Sequence, residues 1–227
     1  MKIVRGEKIA VVGYNGAGKT TLTKLIMRLY DVSGGEILYN GVNIKEYDLA
    51  EYRAKIASVF QDFKIFASSL AENVVADIYT PDMEERVKSA LDKVDFIIDL
   101  DKLPNGLDTQ LTKEFDDGGV NLSGGESQKV AIARVFAADS ELMIMDEPSA
   151  ALDPLAEYKL NHSILDRASG DGKSVIFISH RLSTTRMADR IYMFADGRLI
   201  EQGSHENLMK QGGKYAEMFT MQASKYR

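Results

Sequence analysis

The chain has 227 residues, 28 Lys and Arg against 34 Asp and Glu, a formal net charge of -6, and 44% hydrophobic and 27% charged residues. That is long enough for an α/β core with a smaller lobe and typical of a soluble globular protein, while the acidic balance argues against broad attraction to nucleic acid. Cysteine is absent, which excludes disulfides and thiolate metal sites, and no run approaches the ~18 apolar residues of a membrane-spanning helix. The first residues carry no signal-peptide core, so membrane association is expected to come through a partner or through further sequence.

In chain order, residues 1–12 are predicted to form a short strand, a turn at Arg5, Gly6 and Glu7, and a second strand through Ile9, Ala10, Val11 and Val12. There follows Gly13-Tyr14-Asn15-Gly16-Ala17-Gly18-Lys19-Thr20-Thr21, then residues 22–29 with apolar positions at helical spacing. This is the strand, loop and helix context of a phosphate-binding loop. Glycines let backbone N–H groups approach phosphate oxygens at the positive end of a helix. Lys19 supplies a point charge for the terminal phosphates, and the Thr20 hydroxyl can reach magnesium. The plainer alternative is a glycine-rich turn, which does not require Lys-Thr at that place.

Gly34 and Gly35 break the first helix, and residues 36–44 predict a hairpin about Asn40-Gly41, a pair suited to a primed turn. A short helix is expected over Leu49–Ala54 and a buried strand over residues 56–60, ending at Gln61. Gln61 would then face a site at the carboxyl end of a parallel sheet, or be a loop glutamine with no ligand. Helical signal dominates residues 69–100, with one segment over Leu70–Val75 and another starting at Pro81 and Asp82, whose Met83, Val87, Ala90 and Leu91 share a face. A helical lobe over about residues 62–138, inserted in the core, is the expected organisation. Its residues 62–75 are a candidate docking surface.

Asn121-Leu122-Ser123-Gly124-Gly125-Glu126 opens an apolar helical run over residues 130–138. A hydroxyl and two glycines at a helix start offer either a second anion site or an ordinary N-cap. The strand over residues 142–145 ends in Asp146-Glu147. Two carboxylates there would lose solvation and repel, so a cation or a catalytic task is the natural compensation: Asp146 for magnesium, Glu147 for a base that activates water. After a loop at residues 149–154 and a helix over residues 155–168, the apolar strand at 174–179 delivers His180, which could bond a γ-phosphate or be structural. Strands about the Asp196-Gly197 turn and two terminal helices complete an α/β chain with a mostly parallel sheet.

Together these motifs resemble the ATP-binding cassette of an ABC transporter over nearly the whole chain. Residues 13–21 match the family's Walker A loop, Gln61 its Q-loop, and Leu122-Ser123-Gly124-Gly125-Glu126 its signature. Residues 142–147 match Walker B with the catalytic glutamate, residues 149–153 the D-loop, and His180 the switch histidine. Residues 96–109, 179–184, 188–191 and 203–206 are similar to exporter-type cassettes, which are usually fused to a membrane domain.

The resemblance implies a P-loop nucleoside-triphosphatase core, an antiparallel β-lobe incomplete at the N-terminus, and the inserted helical lobe. It implies an ATPase at the cytoplasmic face of a membrane transporter, with a transmembrane partner domain and no nucleic acid. ATP would contact Tyr14, Asn15, Gly16, Ala17, Gly18, Lys19, Thr20, Thr21, Gln61, Ser123, Gly124, Gly125, Glu126 and His180. Thr20, Gln61 and Asp146 would surround Mg2+, while Glu147, His180 and Lys19 act in catalysis. Two cassettes, identical or different, would sandwich two ATP molecules head to tail.

Two departures stand out. The family's upstream adenine-stacking aromatic is not in this sequence and Tyr14 does not replace it, so a piece of a longer polypeptide with weakened nucleotide affinity is expected. Residues 113–119 also differ from the usual exporter loop. A soluble cassette acting on ribosomes or DNA, and a catalytically idle regulatory cassette, are the competing readings.

Overall fold

Strands that are apolar at every position need cover on both faces of a sheet, and the central strands here have it. The computed structural model describes residues 1–147, 154–170, 172–179 and 182–224. The chain runs β1 (Lys8–Val12), α1 (Lys19–Ile26), β2 (Leu38–Tyr39), β3 (Val42–Asn43), α2 (Leu49–Ala54), β4 (Ile56–Val59), α3 (Leu70–Val75) and α4 (Glu84–Asp92). It continues through α5 (Gly124–Ala137), β5 (Leu142–Asp146), α6 (Pro154–Gly170), β6 (Ser174–Ile178), β7 (Arg190–Ala195), β8 (Arg198–Gly203), α7 (His205–Gln211) and α8 (Lys214–Ser224). Two compact units result. One takes Met1–Ser58, Ser140–Glu147 and the described part of Ala168–Arg227; the other takes Val59–Asp139 and the described part of Pro148–Arg167.

The first unit holds a six-stranded sheet in the order β4-β5-β6-β1-β7-β8. β1 lies parallel between β6 and β7, with Ala10 opposite Phe177 and Val11 opposite Tyr192, β5 lies parallel to β6, and β8 runs antiparallel to β7. Side chains alternate across the sheet. Ile9, Val11, Ile144, Ile176 and Tyr192 pack with Ala17 and Ile26 on one face. Ala10, Val12, Ile191 and Met193 pack with Leu208, Tyr215 and Met218 on the other. This mixed α/β, mostly parallel architecture agrees with the fold class expected from sequence.

Residues 1–4 form no strand, contrary to expectation. The Gly6 turn would fold them back beside β1, but both edges of β1 are taken by β6 and β7. Side chains hold them instead: the Tyr192 hydroxyl donates to Lys2 O at 2.5 Å, and Ser174 Oγ accepts from Gly6 N at 2.9 Å and donates to Val4 O at 3.2 Å. The β2–β3 hairpin forms about Asn40 (φ 52°) and Gly41 (φ 82°), as a primed turn requires. Tyr39, Tyr47 and Tyr52 cluster beneath it, and the Tyr39 hydroxyl donates to Glu141 Oε2 at 2.6 Å.

In the second unit α5 packs against α3 and α4. Residues 93–100 lie outside any helix, although helical signal was expected to extend to 100. Asp95 takes φ 53° and Phe96 N donates to Leu91 O at 3.0 Å, a left-handed cap that stops α4 at Asp92. The strand expected over residues 56–60 stops one residue earlier, at Val59.

The terminal helices of the first unit are tied to the 3-10 segment Leu182–Met187 by one buried hydroxyl. Tyr215 Oη shares hydrogen bonds with Thr185 Oγ1 at 2.7 Å and His205 Nδ1 at 2.8 Å. Burial, then the Arg186 guanidinium, hold the His205 imidazole below its usual range against the opposing pull of Glu206. Tyr215→Phe is therefore expected to cost about 1–3 kcal/mol in denaturant unfolding, since buried Thr185 and half-buried His205 both lose a bond. Because the folded-state histidine binds its proton more weakly, stability is held above the ordinary histidine value and falls as pH drops through it; His205→Gln is expected to flatten that acid limb.

Candidate nucleotide-binding site

Three chain segments meet at the carboxyl end of the sheet in the first unit. β1 ends at Val12, residues 13–18 form a loop, and α1 begins at Lys19. Gly13 has φ 154°, and a Cβ there would lie 2.3 Å from Phe194 O, so only glycine lets the loop pass β7. Gly18 has φ 93° and faces the β7–β8 turn, where Gly197 N donates to Ala17 O at 3.2 Å. The Asp196-Gly197 turn thus braces the phosphate loop, a role that its sequence signal, a plain hairpin, does not reveal.

Lys19 is buried, 7% exposed, and its Nζ donates back to Gly13 O at 2.8 Å and Tyr14 O at 3.2 Å, closing the loop into a ring. Burial pushes its ammonium below the usual lysine range, and the carboxylates of Glu147 and Asp146 oppose that shift. Gly18 provides α1 with no side-chain cap, so the first N–H groups of this helix remain donors for an anion. By contrast Ser69 and Glu72 cap α3, and Ser123 and Glu126 cap α5, each by a reciprocal capping box.

β5 delivers Asp146, buried, to the same place, and Thr20 Oγ1 donates to Asp146 Oδ2 at 3.2 Å. Glu147 follows in a left-handed conformation, φ 49°, with its N–H donating to Ile178 O of β6 at 3.0 Å. A non-glycine residue there costs about 1 kcal/mol or more, and such outliers concentrate at functional sites. Among the described residues no group of three or more His, Cys, Asp or Glu could hold a metal. A hydroxyl and a carboxylate side by side suit magnesium, which takes one or two protein oxygens and completes its shell with phosphate and water.

The structure thus brings Tyr14 to Thr21, Asp146 and Glu147 together in the first unit. Gln61, exposed just after β4, and Ser123, Gly124, Gly125 and Glu126, at the start of α5, belong to the second. His180 and residues 149–153 lie outside the described residues. At α5, Ser123 Oγ donates to Glu126 Oε2 at 2.6 Å and accepts from Glu126 N at 3.3 Å, so the ordinary cap is formed. These bonds from Ser123, with Lys102 nearby, hold the Glu126 carboxyl below the usual range.

Sequence reasoning passed over Arg134 and Asn73. Arg134 donates from Nε to Asn73 O at 2.7 Å and from Nη2 to Lys64 O at 3.2 Å, with its guanidinium 4.8 Å from the Phe66 ring centre. Asn73 in turn accepts from Phe66 N at 2.8 Å and donates to Phe66 O at 2.9 Å. The segment after Gln61 is therefore fastened to the helix that starts at Ser123. A lone arginine in the apolar run of α5 was the available signal.

A family profile described as ABC transporter matches residues 1–150. The chain is 39% identical over 221 residues to an ATP-dependent lipid A-core flippase of Burkholderia orbicola, covering 97% of this chain and 36% of that protein. It is 41% identical over 217 residues to the subtilin transport ATP-binding protein SpaT of Bacillus subtilis, covering 94% of this chain and 34% of that protein. A solved bacterial Atm1-family ABC exporter with ATP bound matches with a TM-score of 0.84 and 35% identity over 98% of this chain and 38% of its own. The chain spans about a third of the length of these relatives. A buried loop lysine, an uncapped helix start and paired acids at the end of β5, together with these matches, place the chain in the ABC transporter family.

Proposed function

We propose that this chain is the ATP-hydrolysing cassette of an ABC exporter, in which nucleotide-dependent pairing of two cassettes drives a transmembrane partner at the cytoplasmic face of a membrane. The observation that carries it is the phosphate cradle: an uncapped helix start, the Lys19 ammonium, and Thr20 against Asp146. Among the described residues no helix is long and apolar enough to cross a membrane. Exporter relatives of about three times this length favour a membrane domain in the native polypeptide, with a helical lobe of about residues 62–138 as its contact. That these relatives are exporters also weighs against a soluble cassette acting on ribosomes or DNA.

Residues 14–21 bind ATP through backbone N–H groups, and Lys19 turns its ammonium from the loop carbonyls to the terminal phosphates. Thr20 and Asp146 would be oxygen donors for Mg2+, which when bound would neutralise phosphate charge and orient the terminal phosphate. Glu147, fixed at the end of β5 by the bond to Ile178 O, accepts a proton from the attacking water, and His180 bonds the γ-phosphate. Ser123, Gly124 and Gly125 of a second cassette, the same or a related chain, complete the site, with Glu126 at its edge. Loss of the γ-phosphate removes what both sides hold and lets the pair part.

Glu147→Gln is expected to lower turnover about a hundredfold or more, the scale of a lost general base, while ATP binding persists and a dimer accumulates in sedimentation. Unchanged hydrolysis would refute the role of Glu147. Lys19→Ala is expected to weaken ATP binding about tenfold to a hundredfold in a titration, as loss of a charged hydrogen bond does. Wild-type affinity would refute the cradle.

A further inference from the structure

The start of α5 contains a conflict of charge. Ser123 is exposed, yet its hydroxyl hydrogen points at Glu126 Oε2, 2.6 Å away, and the same oxygen accepts from Ser123 N at 2.8 Å. A phosphoryl oxygen bonding to Ser123 must take over that hydrogen, and it carries the same sign of charge as the carboxylate already there. One hydroxyl proton cannot serve two anions, so the phosphate competes with the carboxylate for it, and their like charges drive the carboxylate away.

The second unit supplies a place for it to go. Beside Glu126 lies a hollow of about 180 Å³ walled by Ile97, Asp99, Lys102, Leu103, Val120 and Leu122. Lys102 Nζ stands 3.6 Å from Glu126 Oε1, the oxygen turned away from Ser123. A rotation of the Glu126 side chain would exchange the two Ser123 bonds for a closer ion pair without displacing packed side chains. Asp99, on the same wall, opposes the move.

We propose that Glu126 is a gate on Ser123: it caps α5 in the separate cassette and must swing to Lys102 for the hydroxyl to receive the γ-phosphate of ATP held by a second cassette. The gate rests on the composite site proposed above, adds no ligand site of its own, and makes Lys102 a positioning residue that acts through Glu126. Cassette pairing then requires breaking a formed cap, so two separate cassettes resist pairing until ATP supplies the competing anion.

The test uses the Glu147→Gln protein as parent and measures ATP-dependent dimerisation by sedimentation velocity. Glu126→Gln keeps an amide oxygen for the cap but removes the charge, and dimers are expected at about fivefold lower ATP, the upper scale of an exposed charge pair. Lys102→Ala, at an exposed position that leaves the fold intact, is expected to shift dimerisation about fivefold the other way and to have no effect once Glu126 is Gln, because the coupling is pairwise. The gate is refuted if the parent dimerises while Glu126→Gln leaves the ATP requirement unchanged or raises it, or if Lys102→Ala acts equally in both backgrounds. A parent that stays monomeric at saturating ATP refutes the composite site itself and the gate with it.

Discussion

The site depends on one buried ammonium. Lys19 sits almost out of solvent and turns back onto the carbonyls of Gly13 and Tyr14, so a charge that would otherwise be costly to bury holds the loop closed. Asp146 and Glu147 stand by with opposite charge, which opposes the downward pull of burial on the ammonium. The surrounding structure follows from holding that ring in place. β1 between two parallel neighbours fixes where the loop starts, Phe194 O leaves no room for a side chain at Gly13, and Gly197 braces the far end through Ala17 O.

Against this frame the local compromises have a consistent direction. α3 and α5 satisfy their first N–H groups with serine and glutamate, whereas α1 begins at a glycine that offers no such cap. Glu147 is held in a backbone conformation that side chains avoid, by a hydrogen bond from its own N–H to β6. A helix start without a cap and a strained acid at a strand end would weaken a purely structural protein; next to one another they are what phosphate binding and water activation require.

Much of this was legible in the sequence because the signals are local. Apolar runs with glycine breaks gave the central strands, Asn40-Gly41 gave the hairpin, and the spacing from Gly13 to Thr20 gave the loop with its lysine and hydroxyl. What escaped notice depends on contacts distant in sequence. No local pattern tells that β6 and β7 occupy both sides of β1 and leave residues 1–4 without a ladder. Nor does one tell that Asp196-Gly197 braces the loop, or that Arg134 fastens a segment some seventy residues earlier. At Ser123 the sequence left an anion site and an ordinary cap both open, and the structure displays the cap; the anion role is a proposal about a second cassette. His180 lies outside the described residues.

The central claim is that each cassette carries half of a reaction site. Specific ATPase activity measured across a wide dilution series of the wild-type chain addresses it most directly. Activity per molecule is expected to fall steeply below the concentration at which pairs form and to level off above it. A constant value down to the lowest measurable concentration, with the protein monomeric throughout, would contradict the claim.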